Sequence, residues 1–365
     1  MAKERYQSSF EEFINSRGSK RDKPLPSLAP QGIYEQLDRY VIGQHRAKKK
    51  IALAAYNHIK RIKFNRNNPE YPLQKSNILL YGPTGCGKTH LARTLARVLD
   101  FPIVLVDATD YTEAGYYGKD VETIIGELLL KTGSVEEAQC GIVFIDEIDK
   151  IATRRGGMRN GAGNRDIGGE GVQQALLKLL EGKTIFAPTN VTQHWNRHDF
   201  VPVNVSDILF VCSGAFSDLD YYRVSTVQGF TGERIPVDEQ DPTITLEQFQ
   251  KYGFMPEFLG RLPIRVGLKS LTSSELIDVL TLPPDSILSE YRRLLEADGI
   301  TLTVEREAYE PIVEAVEAKR MGARSLRTIM EEILEEIMFR APELRGKKIN
   351  LTKSMVNQRL ESLNL

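Results

Sequence analysis

Residues 77–89 read Asn77-Ile78-Leu79-Leu80-Tyr81-Gly82-Pro83-Thr84-Gly85-Cys86-Gly87-Lys88-Thr89, and this stretch decides the fold. An apolar run of strand length enters a glycine-rich turn of the form GxxxxGK[ST], and an amphipathic helical pattern, KTHLARTLARVL, leaves it. Such a turn aims backbone N–H groups and the positive end of a helix dipole at one point, which makes a cradle for phosphates. Lys88 brings a charge for the outer phosphates and Thr89 a hydroxyl for Mg2+, so Gly82 through Thr89, with His90 next in line, are the expected nucleotide contacts. At ordinary glycine usage the pattern arises by chance in about one chain per hundred of this length, and the strand before it and helix after it lower that further.

Working outward, GIVFIDEIDK is a buried-strand pattern that ends in Asp146-Glu147. At the carboxyl end of a strand, Asp146 can hold Mg2+ through water, while Glu147 can orient and polarise the water that attacks a phosphate. The two motifs together predict an ATPase of the P-loop class. Apolar segments at 77–81, 103–107, 142–146 and 208–212 alternate with helix-length stretches, which indicates a parallel sheet covered on both faces. After Gly267 the pattern changes to amphipathic helices at 273–280, 286–297, 307–318 and 323–338, broken only by strand-like pieces at 301–304 and 348–351. The expected organisation is therefore a flexible arm and linker over 1–30, a large α/β domain over 31–267 and a smaller, mainly helical domain over 268–365.

Lys+Arg 48 against Asp+Glu 49 leaves a net charge of -1, so there is no overall basic field of the kind a dedicated DNA-binding domain carries. A helix beginning after Gly43 presents Ala47, Ile51, Ala54, Ala55, Ile59 and Ile62 on one face. Arg46, Lys48, Lys49, Lys50, Lys60, Arg61 and Lys63 are read as its basic opposite face, a solvated surface rather than a nucleic-acid site because no aromatic residues are interleaved with them. The cysteines, Cys86, Cys140 and Cys212, are odd in number and lack CxxC spacing, which argues against a disulfide framework or zinc ribbon and for a reducing compartment. Apolar runs fall far short of the ~18 residues a membrane span needs, and MAKERYQSSFEEF is charged where a signal peptide would be apolar. A soluble, cytoplasmic protein is expected. The Gly-rich stretch over 154–169 reads as a loop.

The P-loop, DATDYTEAGYYGKDVE, IVFIDEIDKI, GEGVQQALLKLLEG, ILFVCSGAF, FMPEFLGRLP and MGARSLR resemble, in this order and spacing, the ATPase module of the ClpX unfoldases of the AAA+ superfamily. The resemblance runs from about Ile33 to the C-terminus. The related HslU unfoldases share much of it but carry a large insertion after the second sheet strand, for which this chain has no room.

The resemblance implies a homo-hexamer that binds ATP and Mg2+ between its large and small domains and threads protein substrates through a pore into a ClpP-like peptidase. Val41 and Ile42 would line the adenine pocket, Ser213 would sense the γ-phosphate, and Arg324 would contact nucleotide from the small domain. Arg261 would reach as an arginine finger into the neighbouring subunit's site. Tyr116 and Tyr117, between Gly115 and Gly118, resemble the substrate-gripping pore loop, and Arg165 begins the match to a second one. Gln228-Gly229-Phe230 occupies the place of the peptidase-docking loop.

Three departures accompany the resemblance. No cysteine precedes Cys86, so the family's N-terminal zinc-binding domain is not expected. Thr192–His198 stands where the family has a basic Arg-Lys-His loop, and the pair His194 and His198 lacks a third ligand for a metal. Gln228 replaces the first apolar anchor, an isoleucine in the family. This keeps a second function open, the remodelling of protein complexes without a peptidase. A nucleic-acid-associated motor is the remaining alternative, and it lacks the helix-turn-helix or basic hairpin such a motor would need.

Overall fold

A computed structural model describes residues 29–112, 119–153, 167–189, 200–219 and 243–363. They fall into two compact units. One takes in the residues up to Tyr34 with Arg46–Gly82 and Thr89–Gly267; the other comprises Glu35–His45, Pro83–Lys88 and Leu268–Leu365.

The first unit is built on a parallel sheet of five strands. In chain order the strands among the described residues are β1 (Ile78–Tyr81), β2 (Ile103–Asp107), β3 (Tyr111–Thr112), β4 (Lys119–Asp120), β5 (Ile142–Asp146), β6 (Thr184–Pro188), β7 (Phe200–Asn204), β8 (Leu209–Gly214), β9 (Ile264–Gly267), β10 (Thr301–Val304) and β11 (Lys348–Leu351). The central sheet runs β2-β5-β8-β1-β9, with every pairing parallel. β1 and β8 are buried along their whole length, as strands covered on both faces must be. The expected strands at 103–107 and 142–146 are found at those bounds, whereas β9 was not foreseen, because IRVG mixes a charge into a short run.

Strands β6 and β7 pair antiparallel, apart from the central sheet. Edge-to-face rings of Phe216, Phe249 and Tyr252, with Phe254 and Phe258 beside them, close the core next to the helices Leu246–Tyr252 and Pro256–Gly260.

One expectation is corrected. Helix His45–Asn67 does bury Ala47, Ile51, Ala54, Ala55, Ile59 and Ile62, but Lys48 and Arg61 are buried with them, at 1% and 6% exposure. Lys48 lies three residues before Ile51 and seven before Ala55, and Arg61 three after His58 and seven after Ala54, so helical geometry sets both on the buried side. Arg61 meets Asp207 at 3.4 Å and the His58 ring at 3.3 Å, and the Lys48 ammonium lies over the Tyr34 ring. Lys75 joins the cluster, donating to the carbonyls of Leu179 and Val205 with its ammonium 4.4 Å from the Phe210 ring centre. Burial, aided by the charges of Arg61 and Lys75, pushes the His58 pKa down to about 3, so this histidine is neutral in the folded protein.

In the second unit, helices Ser273–Thr281, Ile287–Ala297, Tyr309–Ala318 and Arg324–Phe339 surround a core that includes Leu280, Leu295, Ile312, Val316, Leu326, Ile329 and Ile333. Thr272 and Glu275 form a reciprocal capping box that fixes the start of the first. β10 pairs parallel with β11, and a further helix, Lys353–Ser362, places Val356 and Leu360 on the core. The sequence did not announce that helix. Its short buried face is outnumbered by polar residues.

Candidate active site

Within the first unit, the parallel register gathers three motifs at the carboxyl edge of the sheet. Leu80 of β1 stands opposite Ser213 of β8, and Ile145 of β5 opposite Cys212. Asp146, the last residue of β5, therefore ends level with Ser213. Thr89, 57 residues away in sequence, donates its hydroxyl to Asp146 Oδ2 at 3.0 Å, while the Glu147 N–H donates to Asp146 Oδ1 at 3.0 Å. Both oxygens of the aspartate are thus fixed.

Glu147 is exposed and has φ 54 and ψ 31, a left-handed conformation that a residue with a side chain adopts at a cost of ~1–3 kcal/mol. The turn redirects the chain where β5 ends. Ser213 is fully buried, and among the described residues its hydroxyl has no hydrogen-bond partner. Two residues beyond Glu147, Asp149 is buried at 5% exposure and accepts the Ala215 N–H at 3.1 Å, which ties the end of β5 to the segment that leaves β8. Cys212 is buried, and burial pushes its thiol up to about 12.

The second unit contains the rest of the phosphate loop, together with Val41, Ile42 and Arg324. Gly85 has φ +76, and a Cβ there would fall 2.0 Å from the Met321 carbonyl oxygen. Only glycine meets both demands. The Ala323 N–H in turn donates to the Gly85 carbonyl at 3.2 Å, just before Arg324 opens its helix. Lys88 Nζ donates to the Pro83 carbonyl at 2.9 Å. Burial pushes the Cys86 thiol up, against the lowering effect of the Lys88 charge, so it is an inert packing group within the loop. Val41 is buried and Ile42 half-buried, while Thr84, His90 and Arg324 are exposed.

Arg261 is elsewhere. It caps the helix Pro256–Gly260, and its carbonyl accepts a hydrogen bond from Asn77, the residue that precedes β1. The phosphate loop follows the other end of β1, and four residues of strand span ~13 Å. Arg261 therefore lies at the amino edge of the sheet, away from Asp146 of its own chain. Its guanidinium meets Glu181 at 3.3 Å.

A family model for the AAA domain (Cdc48 subfamily) matches residues 73–265, and one for the C-terminal D2-small domain of ClpB protein matches residues 271–350. A Bacteroides fragilis protein named ATP-dependent Clp protease ATP-binding subunit ClpX is 42% identical over 352 residues, covering 94% of this chain and 84% of its own length. Proteins of the same name from Treponema denticola and Borrelia duttonii are 38% and 40% identical, covering 96% and 94% of this chain and 86% and 83% of theirs. The chain belongs to the ClpX family of AAA+ proteins. It is an ATPase with an AAA large domain followed by a small helical one.

Several ClpX-like segments singled out in the sequence lie outside the described residues: Tyr116 and Tyr117, Arg165, Thr192–His198, and Gln228-Gly229-Phe230. Among the described residues there is no cluster of three or more histidine, cysteine or acidic side chains able to hold a metal, and no helix is long and apolar enough to cross a membrane. Sequence reasoning also missed residues that support the ClpX motifs. Gln44 clamps the Lys269 backbone through both ends of its amide, at 2.8 and 3.0 Å, directly after the YVIG segment. Asn77, Asp149 and Glu181 were missed as well. The one available signal was a polar residue abutting an apolar run, as in SNILLY and DEIDK.

Proposed function

We propose that this chain is an ATP-dependent protein unfoldase of the ClpX type, a homo-hexamer that threads polypeptides through its pore into a ClpP-like peptidase in the cytoplasm. The observation that carries the reading is the Thr89–Asp146 hydrogen bond with Glu147 beside it, in a chain whose relatives are named ATP-binding subunits of Clp protease. A hydroxyl and a carboxylate held 3.0 Å apart are hard oxygen donors, a set suited to Mg2+ that keeps several waters. Thr89 and Asp146 would hold Mg2+ there, and the ion would supply charge neutralisation at the outer phosphates.

The backbone of Gly82 through Gly87 and the Lys88 ammonium cradle the phosphates, and Glu147 accepts a proton from the attacking water as it orients it. Ser213 responds to the γ-phosphate, Val41 and Ile42 line the base, and Arg324 contacts the nucleotide. The position of Arg261 at the amino edge of the sheet, away from Asp146 of its own chain, supports its action on a neighbouring subunit's ATP. Residues 31–267 form the large domain, 268–365 the small one and 1–30 an arm. Tyr116, Tyr117 and Arg165 line the pore, and Gln228-Gly229-Phe230 docks the peptidase. Cysteines held as thiols rather than in a disulfide, and the lack of a membrane-length apolar helix among the described residues, support the cytoplasmic assignment.

The experiment is ATP-dependent loss of signal from a tagged, stably folded fluorescent substrate, with and without a ClpP peptidase. The reading expects unfolding in both cases and degradation only with peptidase. Hydrolysis without unfolding of any substrate overturns it. A second reading, remodelling without a peptidase, is favoured by Gln228 at the anchor position, and unfolding with no peptidase association would select it.

A further inference from the structure

Asn77 is exposed to only 1% and directs both protons of its amide nitrogen at backbone carbonyls: Nδ2 donates to Arg261 O at 2.9 Å and to Leu180 O at 3.2 Å. Glu181 follows Leu180 at the end of helix Ile167–Glu181, and its Oε1 is the atom that meets the Arg261 guanidinium. One buried side chain therefore fixes the backbone on both sides of the Arg261–Glu181 pair. Asn77 also accepts the Ile264 N–H on its own carbonyl at 3.4 Å, which starts the pairing of β1 with β9.

The ion pair itself is a loose holder. Arg261 is 46% exposed and Glu181 23%, and Glu181 Oε2 is already engaged by Lys183 at 2.7 Å. Exposed pairs of this kind are screened by water and contribute little. A phosphate, like a carboxylate, offers a guanidinium charge-assisted and often bidentate hydrogen bonds. The guanidinium is thus parked on Glu181 and free to leave it, while the buried amide keeps its hydrogen bonds.

We propose that Asn77 is the positioning residue for Arg261, setting the arginine's backbone against β1, the strand whose far end opens into the phosphate loop. This inference rests on the reading of Arg261 as a group that acts on a neighbouring subunit's nucleotide. The chemistry explains the residue type. A primary amide offers two protons from one nitrogen. Serine offers one, on a shorter arm, and alanine none. Aspartate would set a carboxylate oxygen against two carbonyl oxygens. Turnover is expected to fall in the order Asn, Ser, Ala, Asp.

The test uses full-length Asn77→Ala and Asn77→Ser chains, each checked for assembly and nucleotide binding. Steady-state ATPase should show kcat reduced at least tenfold in Asn77→Ala and less in Asn77→Ser, with the KM for ATP changed less than twofold. Asn77→Ala subunits are then mixed with Glu147→Gln subunits. Where an intact Glu147 of the first faces a well-placed Arg261 of the second, hydrolysis should recover above that of either alone. A defect confined to the variant's own folding or nucleotide site would not recover.

Unchanged kcat in Asn77→Ala overturns the proposal. So does failure of this mixture when Arg261→Ala mixed with Glu147→Gln does recover. If neither mixture recovers, the trans role of Arg261 falls and this inference falls with it. If Asn77→Ala does not assemble, Asn77→Ser carries the same comparisons.

Discussion

Thr89 and Asp146 are joined by a 3.0 Å hydrogen bond that links the first turn of the helix Lys88–Leu99 to the carboxyl end of β5. The two motifs with the strongest chemical meaning in the sequence therefore converge on one pair of oxygens. Thr89 and Asp146 would hold Mg2+, with the carboxylate supplying the negative charge and the hydroxyl a neutral oxygen. Asp146→Asn keeps the shape and removes the charge, so it is expected to weaken the Mg2+ dependence of nucleotide binding. Titration of Mg2+ against bound nucleotide measures this, and an unshifted midpoint would remove Asp146 from the metal site.

Glu147→Gln should bind ATP with little change in affinity and hydrolyse it about a hundredfold or more slowly, the usual scale for loss of a general base. Its neighbours Lys88, Thr89 and Asp146 are left in place. Parallel measurements of nucleotide affinity and phosphate release check the separation, and ordinary turnover in the variant would be incompatible with the role.

Gly85→Ala and Gly87→Ala form a matched pair. Both positions have positive φ, but a Cβ at Gly85 meets Met321 O at 2.0 Å, whereas a Cβ at Gly87 has nothing within 4 Å. Backbone strain alone costs ~1–2 kcal/mol. Thermal unfolding should show that loss for Gly87→Ala and a clearly larger one for Gly85→Ala. Equal shifts would mean that the loop relaxes away from Met321.

His58 makes the folded protein sensitive to acid. Its folded pKa, about 3, lies below the ordinary 6.5, so between those values the unfolded chain binds a proton that the folded chain does not. Stability from this group is complete above about pH 6.5 and is lost as pH falls through the window, by up to ~1.4 kcal/mol per pH unit. Denaturant unfolding from pH 7 to pH 4 should show a shallower loss in His58→Gln, which does not titrate. Parallel curves for the two proteins would show that His58 is not the source.

Tyr116→Ala, at a position read from the sequence as a substrate grip, should leave basal ATPase largely intact and sharply slow the unfolding of a stable substrate. Equal loss of both activities would return Tyr116 to an ordinary packing role.

The legible parts of this protein were those written in residue types at fixed spacing. GPTGCGKT, the apolar run ending at Asp146, and the strands β2 and β5 all announce themselves, because backbone geometry demands particular residues there. Lys48 and Arg61 were misread because charge suggested solvent while the helical period placed them inside. Asn77 and Glu181 were invisible for a different reason. Asn77 bonds to backbone carbonyls, which every residue possesses, so no pattern of side chains in the sequence marks its partners.

The left-handed turn at Glu147 has a consequence for timing. Strain at φ 54 is introduced once, when the chain folds, and the surrounding packing of Ile145, Ile148 and Ile151 keeps it in place afterwards. The direction in which the Glu147 side chain leaves the backbone is thereby set before any nucleotide arrives and need not be found again in each hydrolytic cycle. Replacing Glu147 by a residue that relaxes the turn would then stabilise the fold while silencing the enzyme, so a gain in melting temperature at this position would be a signature of function rather than of repair.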